Sequence, residues 1–145
     1  YSLQCGRRND ALKLWLAWRE CGDAGWASLV DRFMELGDYL ESRVNERDDM
    51  QMMSARMWTN VCFRFTPKGY DGDLNELNSE IRSRMMQNGN FMVSRSNIGD
   101  DVIFRAVMAN PKITEKTLDG LLEEITHHCD EVMRGLPSKH LFSSP

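Results

Sequence analysis

The N-terminal third of the chain alternates hydrophobic and polar residues with a helical period. Apolar residues recur at spacings of three and four over residues 11–18 and again over residues 26–47, which predicts two amphipathic helices. The segment Gly22-Asp23-Ala24-Gly25 separates them, because glycine interrupts helices readily. Aromatic residues at helical spacing mostly serve burial, so we expect the tryptophans of this region to pack in a core.

The period changes after residue 49, where the pattern becomes typical of β-strands. Residues 50–54 predict a weak strand and residues 58–65 a strong one. Two further strands, residues 91–94 and 102–109, are predicted on either side of a turn at residues 97–100. The last of these runs is apolar, short and followed by Asn-Pro, and these features favour a strand over a core helix.

Two more helices are expected between and after these strands. The first spans about residues 74–88 and is stopped by Gly89; the second spans residues 114–133, with Thr114 as a polar start and Gly135 near its end. The predicted order is therefore helix-helix-β-β-α-β-β-α. It indicates an α+β domain with long N-terminal helices and a small, mainly antiparallel sheet covered on one face by helices.

Arg105 is the unusual residue of the last predicted strand. In an alternating strand it shares a face with Ile103, Val107 and Ala109, so we expect a guanidinium group buried among apolar neighbours. A buried arginine requires an anion. That anion is either an Asp or Glu of this chain or the carboxylate of a ligand held by two parallel hydrogen bonds. Arg64, in contrast, is expected on an open, wet face of the sheet.

Composition and charge exclude several functions. A chain of 145 residues with 41% hydrophobic residues and a net charge of −4 has the size of one globular domain. Its scattered basic residues and pI near 5.4 argue against nucleic-acid binding. We find no membrane span and no signal peptide, and expect a cytoplasmic protein. Because the chain begins at Tyr1 rather than Met, we expect a piece of a longer polypeptide.

Sequence reasoning finds neither a metal site nor catalytic residues in this segment. The cysteines are widely spaced, which indicates reduced thiols rather than disulfides or zinc ligands: Cys5, Cys21, Cys62 and Cys129. His127, His128 and Cys129 are adjacent, and neighbouring helical residues point about 100° apart, so we expect them not to converge on one metal. No nucleophile lies beside a base, and no glycine-rich phosphate loop or obvious acid/base pair is present.

Three stretches nevertheless resemble a known family. Residues 3–18, residues 60–63, and Phe104-Arg105 with Asn110-Pro111 are similar to the C-terminal part of the pyridoxal-phosphate-dependent group II amino-acid decarboxylases. The glutamate and cysteine-sulfinate decarboxylases are the most similar branch. The resemblance extends from Leu3 to about Ile125.

The resemblance implies the small C-terminal domain of a fold-type I enzyme that binds pyridoxal phosphate. Residues 1–48 would be the end of the large domain and connecting helices, residues 49–135 the small domain, and residues 136–145 a polar tail. The Schiff-base lysine and the other cofactor contacts would lie in the large domain of the same polypeptide, outside this chain. Arg105 would bind the α-carboxylate of the substrate, while Gly6-Arg7 would be structural. The intact enzyme is expected to be a homodimer, and the fragment alone inactive.

The resemblance also implies an acidic substrate such as glutamate, aspartate or cysteine sulfinate. Arg64 and Ser94-Arg95 depart from the usual residues of that branch. Two alternatives stay open: the small domain of a related fold-type I enzyme such as an aminotransferase, or a stand-alone interaction module that presents an amphipathic helix. Residues 11–18 normally pack on the large domain in this family, so we expect exposed apolar surface on the isolated fragment.

Overall fold

A computed structural model describes residues 9–135 and divides the chain into two compact units, with the boundary between residues 32 and 33. The described part of the first unit is helical and belongs to α1 (Asp10–Asn45). Gly22 breaks this helix, with φ 64° and ψ 178°, in a region of backbone space that glycine occupies without strain. The predicted interruption between residues 22 and 25 is therefore confirmed.

The second unit contains the rest of α1, a sheet and two further helices. Its elements are β1 (Met50–Met52), β2 (Asn60–Phe65), α2 (Leu74–Asn88), β3 (Ser94–Ile98), β4 (Asp101–Val107) and α3 (Glu115–Met133). The sheet is antiparallel throughout, in the order β1-β2-β4-β3. The predicted α+β class with a small antiparallel sheet is confirmed.

The helix ends follow from local side-chain chemistry. The Asp73 side chain accepts a hydrogen bond from the Asn75 amide at the start of α2, and Gly89 ends this helix in the left-handed conformation, with φ 79°. Thr114 and Thr117 form a reciprocal capping box at the start of α3. These caps explain why the sequence predicted both helices nearly to the residue.

The core lies on one face of the sheet. Val61 and Phe63 of β2 pair with Ala106 and Phe104 of β4, and the rings of Phe63 and Phe104 lie 5.7 Å apart. Buried apolar residues of the second half of α1, of α2 and of α3 complete the same cluster. The alternating pattern of β2 and β4 thus fixes which of their side chains face the helices.

Asn78 of α2 joins the helix to the end of β2. It is fully buried, and its side chain accepts a hydrogen bond from the Phe65 amide (2.9 Å) while donating to the carbonyls of Phe65 (3.0 Å) and Leu74 (2.8 Å). These contacts satisfy backbone groups that the end of the sheet leaves unpaired.

The starts of two predicted strands were wrong by more than one residue. β3 begins at Ser94, whereas Phe91 and Val93 pack against the core without forming a strand. Hydrophobicity favoured residues 91–94, but the edge strand is polar and mostly exposed because only β4 pairs with it. β2 begins at Asn60 rather than Trp58, whose positive φ of 57° is incompatible with a strand.

The expectation that the N-terminal tryptophans are buried was also wrong. Trp15 is 57% exposed and Trp18 45% exposed. Trp18 stacks on Trp26 at 5.4 Å and donates a hydrogen bond to Asp23 at 2.6 Å. Among residues 9–135, the apolar stripe of this part of the helix is therefore exposed, as the family resemblance implied.

The first residues of the family-like stretch at 3–18, including Gly6-Arg7, and the polar tail at residues 136–145 lie outside the described residues.

Candidate functional site

Arg105 occupies the middle of β4, between Cys62 of β2 and Ser94 of β3, which are its direct cross-strand partners. Directly opposite residues share a face of the sheet. Arg105 is exposed, so the prediction of a buried guanidinium was wrong. Alternation directs Phe104 and Ala106 into the core and Arg105 to the outer face, where the uncharged Cys62 and Ser94 side chains flank it.

The side chain of Arg105 has no hydrogen-bond or ion-pair partner among residues 9–135. Of the two alternatives that the sequence left open, an internal salt bridge is therefore absent from the described part of the chain. The structure leaves this planar, five-donor group available for an anion from outside residues 9–135.

The buried arginine of the sheet is instead Arg64, which is 9% exposed. Its Nη1 donates to Asp101 at 2.7 Å and its Nη2 to Asn75 at 3.1 Å. The expectation that Arg64 lies on a wet face was wrong because the first turn of α2 reaches this part of the sheet. Asn75 also accepts from the Val102 amide and donates to the Asp100 carbonyl. Arg64 is thus fixed within the fold, whereas Arg105 is not.

A groove of about 220 Å³ opens beside Arg105 between β4 and the start of α3. Its lining is mostly apolar, with Phe91, Val107, Met108, Leu118 and Leu121 among the contributors. Arg105 and Ser94 are polar exceptions, together with Thr117, which is engaged in the capping box. A cation at the edge of an apolar groove suits a small molecule that carries both a carboxylate and an apolar portion.

The described residues do not fit a pyridoxal phosphate site of their own. Its covalent attachment needs a lysine, commonly one held in a desolvated pocket. The lysines of residues 9–135 are all exposed: Lys13, Lys68, Lys112 and Lys116. Lys13 pairs with Asp10 and Lys68 with Asp48 at the surface. Residues 9–135 therefore offer no desolvated lysine for the attachment of the cofactor.

Several titratable residues lie close together in the second half of α3. The sequence analysis did not predict all of these contacts. Burial raises the pKa of the Cys129 thiol to about 11. His127 and His128 both approach Glu131, one helical turn further along. Sequence reasoning considered the two histidines with Cys129 and missed Glu131. The spacings i, i+4 and i, i+3 from the histidines to Glu131 were the signal that could have found it.

Comparison with known proteins identifies the family. Residues 1–66 match the family model described as the pyridoxal-dependent decarboxylase conserved domain. The crystal structure of mouse CSAD in the apo form is 31% identical, with a TM-score of 0.79, and the match covers 88% of this chain and 29% of that chain. The structure of Oryza sativa TDC with PLP and tryptamine is 25% identical, with a TM-score of 0.74 over 88% of this chain and 27% of that one.

A third structure, Catharanthus roseus tryptophan decarboxylase in complex with L-tryptophan, shares the fold. Its identity is 20% and its TM-score 0.75, and the match covers 86% of this chain and 27% of that chain. The fold is thus that of a segment of a pyridoxal-phosphate enzyme. The family model over residues 1–66 and the 31% identical CSAD structure confirm the resemblance seen in the sequence: the chain belongs to the pyridoxal-dependent decarboxylase family. It spans less than a third of the length of these relatives.

None of the helices in residues 9–135 combines the length and apolar character needed to cross a membrane.

Proposed function

We propose that this chain is the C-terminal small domain, with its connecting helices, of a pyridoxal-phosphate-dependent amino-acid carboxy-lyase. Arg105 binds the α-carboxylate of the substrate. The cofactor and its lysine reside in the large domain of the same polypeptide, and two such polypeptides form the active homodimer. The 145-residue chain alone is inactive.

The state of Arg105 carries this proposal. The side chain is exposed, and no carboxylate of residues 9–135 neutralises it. Its strand is hydrogen-bonded on both sides, by β2 and by β3, so the backbone that carries the guanidinium is rigid. A planar guanidinium can hold a carboxylate through two parallel hydrogen bonds, which fix the orientation of the group as well as its position.

That orientation matters for decarboxylation. The bond to the leaving carboxylate must be held in one direction relative to the bound cofactor, which supplies an electron sink. This chain contributes Arg105, which binds the carboxylate and fixes its orientation. The neighbours Cys62 and Ser94 are small and uncharged, so they neither neutralise Arg105 nor block its approach to the carboxylate.

We propose an acidic amino acid as the substrate. The motifs at residues 3–18 and 60–63, which resemble the glutamate and cysteine-sulfinate decarboxylases, support this choice. An aromatic amino acid is the second candidate, because the groove beside Arg105 is largely apolar and a tryptophan decarboxylase shares the fold. An aminotransferase of the same fold type would convert the amino acid without releasing carbon dioxide.

The test uses the full-length polypeptide loaded with its cofactor. Carbon dioxide release is measured with glutamate, aspartate, cysteine sulfinate, tryptophan and tyrosine. We expect the largest kcat/KM with one of the three acidic substrates. A clear preference for the aromatic pair would favour the second candidate, and keto-acid formation without carbon dioxide would indicate an aminotransferase.

The role of Arg105 is tested with Arg105→Met and Arg105→Lys. In the intact enzyme, where the bound substrate and the large domain would cover Arg105, losing the desolvated, charge-assisted pair costs about 3–5 kcal/mol. This corresponds to a fall of about 10²–10⁴-fold in kcat/KM. Lysine keeps the charge but loses the planar fork, so it should restore little activity. The melting temperature should stay within about 2 °C because no internal carboxylate loses a partner.

Arg95→Met is the matched control. Arg95 is an exposed arginine on the adjacent strand, with one long contact of 3.4 Å to Ser79, and its loss should leave kcat/KM unchanged. An Arg105→Met enzyme with near-normal turnover, or one that loses activity only through unfolding, would contradict the assignment.

A further inference from the structure

A cluster of nitrogen and oxygen ligands lies on one side of α3, outside the groove beside Arg105. His127 Nε2 is 3.6 Å from Glu131 Oε1, and His128 Nδ1 is 2.8 Å from Glu131 Oε2. One ligand atom from each residue can be chosen so that all lie within 4.8 Å of one another. Glu131 therefore lies close to both imidazoles, whose ring centroids are 5.3 Å apart.

We propose that His127, His128 and Glu131 form a binding site for a divalent transition metal of the Zn²⁺ type. This inference does not depend on the decarboxylase assignment. Two imidazoles and a carboxylate suit Zn²⁺, Cu²⁺ or Ni²⁺ rather than Mg²⁺ or Ca²⁺. Three protein ligands leave one coordination position open for water or another ligand.

The three ligand atoms would need to move only a short distance to bind one metal ion. Tetrahedral zinc with bonds near 2.0–2.1 Å places its ligand atoms about 3.4 Å apart. Each imidazole is already within 3.6 Å of Glu131. The widest separation in the set, at most 4.8 Å, must close by about 1.4 Å. The His127 side chain, which is 67% exposed, is free to rotate by this amount.

His128 Nδ1 is hydrogen-bonded to Glu131, and the other ring nitrogen, Nε2, faces a second carboxylate. Its side chain is 6% exposed, and its Nε2 is buried without a hydrogen-bond partner. Glu124 Oε1 lies 3.6 Å from this Nε2, and Asn88 donates to the same oxygen at 3.1 Å. A histidine that binds a metal through one nitrogen usually presents the other to a carboxylate, which fixes the ring. A shift of about 0.6 Å would complete that hydrogen bond.

The charge of the cluster also favours a dication. Arg84 lies 3.9 Å from Glu131 and pairs with Glu80 at 2.9 Å. Glu124 and Glu131 bring two carboxylates to the imidazoles. Their charge favours a cation at this position, although Arg84 repels it at short range.

The site is tested on the complete 145-residue chain by titration with Zn²⁺ against a chromophoric chelator. We expect one high-affinity equivalent and a melting temperature that rises with added zinc. Co²⁺ at the same stoichiometry should give visible absorption of a four-coordinate nitrogen and oxygen site. It should also broaden the ring resonances of His127 and His128.

Three variants decide the ligand set. His127→Ala removes an exposed ligand without disturbing the core and should weaken Zn²⁺ binding at least 10-fold; Glu131→Gln should do the same. Glu124→Gln removes the carboxylate behind His128 and should weaken binding about 10-fold. Circular dichroism of each apoprotein checks that α3 remains folded.

Glu123→Gln, an exposed glutamate on the same helix, is the matched control and should bind as the parent does. Cys21→Ser removes the exposed thiol, which could capture zinc by itself. Absence of a high-affinity equivalent overturns the proposal, as does unchanged binding in His127→Ala and Glu131→Gln. Loss of binding in Cys21→Ser would assign the metal to that thiol instead.

Discussion

Asn78 offers a direct test of how the site-bearing sheet is held together. Asn78→Leu keeps a similar volume but removes both the acceptor for the Phe65 amide and the donor to the Phe65 carbonyl. The neighbouring strand β1 pairs with Phe65 from the other side, through Met50. The Phe65 amide and carbonyl would therefore have no other strand to form hydrogen bonds with. Each buried backbone group left without a partner costs about 1–3 kcal/mol, and the two together cost about 2–6 kcal/mol.

This cost is a large part of the roughly 5–15 kcal/mol that stabilises an ordinary domain. Urea denaturation followed by circular dichroism should therefore show a much lower midpoint at an unchanged slope. Asn88→Ala is the control, since Asn88 is exposed and makes one hydrogen bond to Glu124; its effect should be within about 0.5 kcal/mol. A loss below about 1 kcal/mol for Asn78→Leu would refute the view that its side chain completes the sheet.

Two further predictions concern titratable groups. The hydrogen bond from Tyr39, followed by that from Arg43, holds the pKa of Asp119 below its usual value, so its contribution to stability is complete above about pH 4 and is lost as the pH falls through the lower folded-state pKa. Asp119→Asn should flatten the acid limb of a stability-versus-pH curve, and an unchanged limb would contradict this account. Since burial raises the pKa of Cys129 to about 11, a thiol reagent at pH 8 should modify Cys21 rapidly and Cys129 only on unfolding, as peptide mapping would show. Rapid native-state labelling of Cys129 would contradict its burial.

The sequence alone determined the features that depend on neighbouring residues. The capping residues and stop signals of α2 and α3 act within one turn of the helix, so their bounds could be read from residues such as Thr114 and Gly89. The alternation of β4 likewise placed Arg105 on the face opposite to Phe104, Ala106 and Met108. The family resemblance and the choice of Arg105 also came from the sequence.

Only the tertiary structure decided which polar groups are buried and which meet. Arg64 and Arg105 both lie on apolar strands, and the sequence assigned their environments the wrong way round. Asn75 and Asp101 enclose Arg64, and these contacts come from residues 11 and 37 positions away. Periodicity reports which side chains share a face, but burial depends on what later segments of the chain place over that face. Arg105 is exposed because no segment of the described part of the chain covers the outer face beside it.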